Sequence, residues 1–116
     1  MSELNLPHLD PIKFAKYIIS QDGDTYRVRI AFETIPSLAM LVEASAQSSA
    51  AFGAGESKTG FLVTLKNIKM LEKPSSLEYD VEVTSEQQID ALTYFSFEVY
   101  DKDLVVASGV FIIALQ

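Results

Sequence analysis

One carboxylate lies inside an otherwise uncharged stretch of the sequence. Residues 36–52 carry Glu43 as their only charged side chain, and Gln47 follows four residues later. Side chains four residues apart lie on the same face of a helix. An ionised carboxylate buried without a partner costs several kcal/mol, so Glu43 must be neutral, hydrogen-bonded or in contact with a wet cleft. A carboxyl group whose pKa is raised by apolar surroundings can transfer protons, which makes Glu43 the candidate acid or base.

Both residues also have a purely structural interpretation. Glu43 can be a carboxylate that Gln47 or a nearby backbone group holds in place. Gln47 can be a hydrogen-bonded polar group of the helix instead of one that orients a substrate. Three serines of the same stretch have no base within reach along the sequence, so we interpret them as small residues that allow close helix packing and not as nucleophiles. They are Ser45, Ser48 and Ser49.

The same stretch predicts one central helix. Residues 36–52 are apolar or small on almost every side, and a helix of that kind is normally enclosed by other elements. Pro36 or Ser37 marks the N-terminus, as an N1 proline or a hydroxyl cap, and Gly53 and Gly55 mark the C-terminus. At about 1.5 Å per residue the helix is too short, and too rich in polar residues, to cross a membrane.

Alternating apolar residues predict strands on both sides of this helix. Before it, residues 14–19 and 25–32 form a hairpin with a short turn. After it, residues 60–70 form a long strand whose apolar phase changes by one residue near Lys66 and Asn67. A β-bulge produces a phase change of this kind.

Three further strands complete the predicted sheet. Residues 77–84 form a strand with one wet face, and residues 87–90 are expected to interrupt the pattern before a strand at 92–100. Residues 104–115 are apolar on both faces, so this strand is expected in the middle of the sheet, where a second subunit could cover one side. The fold class is therefore α+β, with an antiparallel sheet of about six strands around one helix, in a single domain over residues 1–116. The strand order does not follow from the pattern.

Composition excludes several classes of function. The chain of 116 residues has no cysteine and a single histidine, His8, so we expect no disulfide, no thiol catalysis, no metal and no cofactor. A net charge of −7 argues against binding nucleic acid through phosphate neutralisation. The N-terminus has no basic region followed by an apolar run, so the expected location is the cytoplasm, away from membranes.

Three short motifs resemble those of a known family. Residues 43–47, Glu-Ala-Ser-Ala-Gln, resemble the Glu-Ala-x-Ala-Gln motif on the central helix of the hotdog-fold 3-hydroxyacyl-(acyl carrier protein) dehydratases of fatty acid biosynthesis. Residues 6–8, Leu-Pro-His, together with Pro11, resemble the opening Leu-Pro-His-Arg-Tyr-Pro of that family. Residues 68–74 resemble its Lys-Phe-x-x-Pro segment. The resemblance covers most of the chain and implies a hotdog fold.

The resemblance also implies a function and an assembly. It implies a homodimer with two acyl-binding tunnels along the subunit interface, entered by the phosphopantetheine arm of an acyl carrier protein or of coenzyme A. Glu43 takes the position of the catalytic carboxylate, and Gln47 that of a substrate-binding residue. The backbone N–H groups at the start of the helix would polarise the thioester carbonyl. These belong to the segment that contains Ser37, Leu38 and Met40.

One part of the family pattern is missing. The family presents a catalytic histidine from a Gly-His-Phe-Pro-Gly loop before the helix, whereas residues 32–37 pass directly from strand to helix without a histidine. His8 matches the opening segment and not the catalytic position. Three hypotheses follow: a dehydratase with altered catalytic partners, a thioesterase in which Glu43 activates water or attacks the carbonyl, and a catalytically silent acyl-binding relative.

A group of lysines is the candidate docking site for an acyl carrier. Acyl carriers are typically acidic, so this acidic protein would need a local positive patch to bind one. Lys66, Lys69 and Lys73 fall in one segment and are the candidates, the alternative being that they are solvated charges on a strand face.

Overall fold

The computed structural model describes residues 13–49 and 60–115. Six strands and one helix follow one another along the chain. They are β1 (Ala15–Asp22), β2 (Thr25–Ala31), α1 (Leu38–Ser48), β3 (Gly60–Met70), β4 (Glu78–Ile89), β5 (Leu92–Asp101) and β6 (Leu104–Leu115). No helix in these parts of the chain combines the length and apolar character that crossing a membrane requires.

The six strands form one antiparallel sheet in the order β1-β2-β4-β5-β6-β3. Three of the connections are tight hairpin turns, between β1 and β2, β4 and β5, and β5 and β6. Each contains a residue with positive φ, namely Gly23, Asp90 or Lys102. β6 lies between β5 and β3, which confirms that the strand apolar on both faces is internal.

The hydrophobic core lies between α1 and the concave face of the sheet. Alternation along each strand brings one row of apolar side chains to this face, and α1 packs on it against β1, β4, β5 and β6. Val28, Ile30, Val81, Val99 and Phe111 are fully buried there. A curled sheet around a single helix is the hotdog arrangement, so the predicted α+β fold class is confirmed.

The structure changes one of the predicted strands. β4 continues through residues 87–89 to Ile89, so the predicted interruption there is wrong. A register shift between Ser85 and Gln87 and continued pairing with β5 carry the strand beyond the core, where its side chains are exposed on both faces and no apolar alternation is needed. For α1, the structure selects the predicted hydroxyl cap, since Ser37 is the N-cap and the helix begins at Leu38. Gly53 and Gly55, which were predicted to end the helix, lie outside the described residues.

The helix is also less enclosed than the sequence predicts. One face is buried in the core through Leu41, Ala44 and Ser45. The opposite face is not covered within the described chain, since Ala39 is exposed and Glu43 is half-buried. This open face of α1 adjoins the candidate site.

Candidate functional site

A groove runs between the N-terminal half of α1 and the edge strand β3. It has a volume of about 380 Å³ and an almost entirely apolar lining. The lining residues are Leu38, Ala39, Val42, Glu43, Leu65 and Ile68. The first four belong to α1 and form two adjacent pairs, 38–39 and 42–43, that are four residues apart. They therefore lie on one helical face. The groove is therefore an apolar slot with a single carboxylate on its helical side.

Glu43 is the only charged residue that lines the groove within the described chain. Its side chain is half-buried, and its Oε1 accepts a hydrogen bond of 3.4 Å from Nε2 of Gln47. The structure thus places Glu43 in contact with both a hydrogen-bond donor and an open groove. Both are among the conditions under which a carboxylate is tolerated in apolar surroundings.

Gln47 lies behind Glu43 and ties α1 to β1. Its side chain is 5% exposed, and its Oε1 accepts hydrogen bonds from the backbone N–H groups of Phe14 at 2.8 Å and Ala15 at 3.1 Å. Because two donors face the carbonyl oxygen, the amide group must direct its NH₂ toward Glu43. Among the described residues Gln47 does not line the groove, and its hydrogen bond to Glu43 links it to the groove.

The N-terminus of α1 opens beside the groove. Ser37 is the N-cap, with its Oγ accepting from the Met40 N–H at 3.2 Å, and the Ser37 carbonyl accepts from the Leu41 N–H at 3.1 Å. This agrees with the predicted hydroxyl cap. Of the predicted binding residues here, Leu38 lines the groove, whereas Ser37 and Met40 do not line it, and Met40 packs against the core. The positive end of the helix dipole therefore lies at one end of the groove.

A bulge in β3 forms the other side of the groove. The register of β3 against β6 shifts between Lys66 and Lys69, and Asn67 has a φ of 54°. The predicted bulge near residues 66–67 is thus confirmed. Asparagine adopts this left-handed conformation more readily than most residues. The bulge turns the next residue, Ile68, toward the core and the groove.

Ile68 sits directly over Gly109 of β6. A Cβ atom built on Gly109 would collide with Cδ1 of Ile68 and would lie 3.0 Å from Cε1 of Phe97. Only a residue without a side chain leaves room for this contact. Ile68 therefore forms the bottom of the groove, with Gly109 and the Phe97 ring beneath it.

The three candidate docking lysines are all exposed. Lys66 and Lys69 flank the bulge on the edge strand, and Lys73 follows in the segment after β3. No salt bridge to them is found within residues 13–49 and 60–115. Two of them are thus close in sequence to Leu65 and Ile68, which line the groove.

The candidate site differs from the sequence-based prediction in its apolar members. Ala39, Val42, Leu65 and Ile68 were missed as site residues. Two signals point to them: the helical spacing from Glu43 gives Ala39 and Val42, and the phase change in β3 gives Ile68. His8 and its motif lie outside the described residues. Among the described residues, no cluster of three histidine, aspartate or glutamate side chains could hold a metal.

A second cluster of charges lies away from the groove, on the opposite face of the sheet. Arg27 Nε contacts Asp80 Oδ2 at 3.1 Å, Arg27 Nη1 contacts Glu82 Oε2 at 2.8 Å, and Arg29 Nε contacts Asp80 Oδ1 at 2.6 Å. Burial acts to lower the pKa of Arg27, but the hydrogen bonds and charges of the two carboxylates outweigh it and raise that pKa. We call these four residues the outer-face network.

Comparison with known proteins supports the fold. No protein-family model matches the sequence, and no curated protein sequence matches it. Among solved structures, the dehydratase heterocomplex ApeI:P from Xenorhabdus doucetiae is similar with a TM-score of 0.78 and 13% identity, over 96% of this chain and 88% of that one. An HP0420 homologue from Helicobacter felis has a TM-score of 0.70 and 19% identity, over 96% and 95%.

A thioesterase has the same fold. A mutant thioesterase from Pseudomonas aeruginosa is similar with a TM-score of 0.66 and 9% identity, over 87% of this chain and 80% of that one. Likenesses at these identities show a shared hotdog fold, which hosts both kinds of enzyme among these structures. What the groove of this chain does must be argued from its own residues.

Proposed function

We propose that this protein binds acyl thioesters in the groove between α1 and β3, and that Glu43 exchanges a proton with the bound substrate. The observation that carries the proposal is the position of Glu43, which among the described residues is the one charged side chain that lines the apolar groove, with a hydrogen bond from Gln47. An apolar slot with few polar groups is the usual form of a small-molecule site. The hotdog fold shared with a dehydratase and a thioesterase supports the same class of substrate.

The groove provides separate places for the two parts of an acyl thioester. The acyl chain contacts Leu38, Val42, Leu65 and Ile68, where each buried methylene contributes about 0.8 kcal/mol. The thioester carbonyl points to the N-terminus of α1, whose first N–H groups stabilise negative charge on its oxygen. Glu43 lies one turn further along the same helical face. This places C2 and C3 of the acyl group near the carboxylate.

The reaction we propose first is dehydration of a 3-hydroxyacyl thioester. The Glu43 carboxylate removes a proton from C2, and the electron pair of that C–H bond forms the C2–C3 double bond as the C3–O bond breaks. The leaving hydroxyl takes the proton from the now neutral Glu43 and departs as water. One carboxyl group serves as base and then as acid, and Gln47 is the positioning residue that orients it.

Thioester hydrolysis is the second candidate. It requires one general base to activate water, and Glu43 is the single titratable side chain lining the groove within the described residues. Water adds to the thioester carbonyl, the C–S bond breaks, and the thiol leaves with the proton that Glu43 removed. The products, a carboxylic acid and a free thiol, distinguish this reaction from dehydration.

The test compares Glu43→Gln with the wild-type protein on 3-hydroxyacyl and acyl coenzyme A. We expect turnover to fall by roughly 10²–10⁴-fold, because proton transfer is lost, while the dissociation constant and the melting temperature change little. Formation of enoyl thioester or of free thiol identifies the reaction. Glu33→Gln is the control, since Glu33 is exposed and does not line the groove.

The other outcomes are equally informative. Equal turnover of Glu43→Gln and wild type would refute the catalytic role. Tight acyl binding without any product would identify a catalytically silent acyl-binding protein, and absence of both binding and turnover would refute the proposal as a whole.

The docking of an acyl carrier protein is proposed at Lys66, Lys69 and Lys73. Replacing all three with Glu should weaken carrier binding by roughly tenfold at low salt, with a smaller effect as salt is raised, because exposed charges are screened. Titration of carrier protein at several salt concentrations measures this. The single variant Lys69→Glu is also measured. Its control is Lys102→Glu, which makes the same change of charge in the exposed β5–β6 turn. Unchanged affinity would place the dock elsewhere.

We also propose that the protein is a homodimer. β3 is an edge strand of the described sheet, and its residues Leu65 and Met70 are 46% and 40% exposed. An edge strand with exposed apolar side chains is a ready template for pairing with another chain. A second copy on this edge would also cover the open side of the groove. Sedimentation equilibrium giving the mass of a single chain at micromolar concentration would contradict it.

A further inference from the structure

We propose that Ile68 sets the length of acyl chain that the groove accepts. This inference rests on the proposed function and adds a substrate class to it: the wild-type groove takes short acyl chains, because its bottom is closed by a side chain and not by the backbone of the sheet. Three residues from three different strands meet at this point, namely Ile68 of β3, Gly109 of β6 and Phe97 of β5.

The bulge in β3 determines where the Ile68 side chain lies. In a regular strand, neighbouring side chains point to opposite faces, so Leu65 and Ile68 would not share a face. The register shift between Lys66 and Lys69, with the left-handed Asn67, adds the extra residue that brings both to the groove. The position of Ile68 is therefore built into the backbone of β3.

Gly109 and the Phe97 ring lie beneath Ile68. Gly109 has no side chain. Cδ1 of Ile68 fills the space that a Cβ atom of residue 109 would occupy, next to the Phe97 ring. Phe97 is 2% exposed and belongs to the core. Shortening Ile68 would thus extend the groove toward a glycine and an aromatic ring, which are both apolar and already fixed in position.

The ligand expected beside Ile68 is the acyl chain of the proposed thioester. In the proposed binding mode the thioester lies at the N-terminus of α1, and the lining residues of the groove within the described chain are apolar except for Glu43. An acyl chain therefore fits the part of the groove that Ile68 closes. The end of that chain is the part that meets Ile68.

The experiment measures dissociation constants for two series of ligands, acyl coenzyme A and free n-alkanoic acids, each from short to long chains. Ile68→Ala removes three side-chain carbons, which makes room for about two to three methylenes. We expect the preferred length to increase by that amount, with a gain of about fourfold in affinity for each added methylene. Ile68→Phe should shift the preference toward shorter chains.

Leu65→Ala is the matched control. Leu65 lines the same groove from the same strand but is half-exposed and does not contact Gly109 in the way Ile68 does. We expect this variant to bind all chain lengths more weakly by a similar factor, without a change in the preferred length. If the effect of Ile68→Ala were only a general loss of apolar contact, Ile68→Ala and Leu65→Ala would weaken binding in the same way.

The outcomes separate this inference from the proposed function. A shift of the preferred length in opposite directions for Ile68→Ala and Ile68→Phe supports the inference. An identical preferred length in wild type and all variants overturns it, even if thioesters bind and react. If alkanoic acids show the shift but thioesters do not bind, the role of Ile68 holds and the proposed function fails. Absence of binding by every ligand in both series overturns both.

Discussion

The outer face of the sheet and the groove beside α1 differ in the charged side chains that they contain. On the outer face of the sheet, Arg27, Arg29, Asp80 and Glu82 bind one another through three short contacts of 2.6–3.1 Å. In the groove, Glu43 is held by the neutral amide of Gln47 at 3.4 Å. The outer-face network compensates its own charges with charges of the opposite sign. Among the described residues, Glu43 is the only charged side chain that lines the groove.

This difference separates a structural from a functional use of ionisable groups. Cross-strand pairs of opposite charge stabilise a sheet and need no ligand. Asp80 shows this directly, since each of its oxygens contacts a different arginine of β2. A carboxylate facing an apolar groove contributes little to packing and is expected where protons are transferred. The predictions below test whether the two regions differ in this way.

Gln47→Ala should have the largest effect on stability. It removes the acceptor of two backbone N–H groups, one of them on the fully buried Ala15, and each unsatisfied group costs about 1–3 kcal/mol. We expect the free energy of unfolding to fall by about 3 kcal/mol in chemical denaturation.

Ser48→Ala is the matched control for that measurement. Ser48 is equally buried, but its Oγ donates to the Ala44 carbonyl within the same helix, so its loss should cost less than about 1 kcal/mol. Similar losses for the two variants would show that the link between α1 and β1 is not important for stability.

Asp80→Asn should have an intermediate effect. It removes the charge that both arginines contact, while Glu82 still contacts Arg27. Because the network is partly exposed, we expect a loss of about 1 kcal/mol, and less at high salt. Acyl binding should be unchanged, because Asp80 does not line the groove. A change in acyl affinity larger than twofold would contradict the separation of the two faces.

The titration of Tyr100 should have the smallest effect. Its ring lies under the Arg27 guanidinium, 5.0 Å from ring centroid to Cζ, and its hydroxyl donates to Glu98. Burial first, and then the charge of Glu98, raise the pKa of Tyr100 above its ordinary value of 10.0. Because the folded-state pKa is the higher one, the associated stability is present below pH 10 and is lost as the pH rises through the raised pKa.

An ultraviolet difference titration of wild type against Tyr100→Phe measures this shift directly. A midpoint at or below that of free tyrosine would mean that the attraction of Arg27 outweighs burial and Glu98. The positive charge of Arg27 would then influence the titration of Tyr100 more strongly than the negative charge of Glu98 does.

Local features of the fold could be predicted from the sequence because their causes are local. The alternation in β2, the Ser37 cap and the bulge at Asn67 each depend on a few neighbouring residues. The strand order depends on pairings between distant segments, such as Thr25 of β2 with Thr84 of β4, and no local pattern encodes them. The continuation of β4 to Ile89 was missed because its side chains there have no apolar face to reveal a strand.

The candidate site could be predicted in part for the same reason. Glu43 was recognisable as the single charge in an apolar helix, and its groove neighbours follow from helical spacing. The opposite side of the groove depends on a contact between β3 and β6, where Gly109 leaves room for Ile68. A glycine in a strand has several possible explanations, so this contact became clear only from the structure.

The position of β6 between β5 and β3 has a consequence for biosynthesis. β3 pairs within the described sheet only with β6, although 33 residues separate the end of one from the start of the other. During translation β3 therefore emerges long before its partner, and the ribosome must release β6 before the groove can take shape. Until then the nascent chain carries an unpaired apolar strand, and segments of this kind are prone to aggregate.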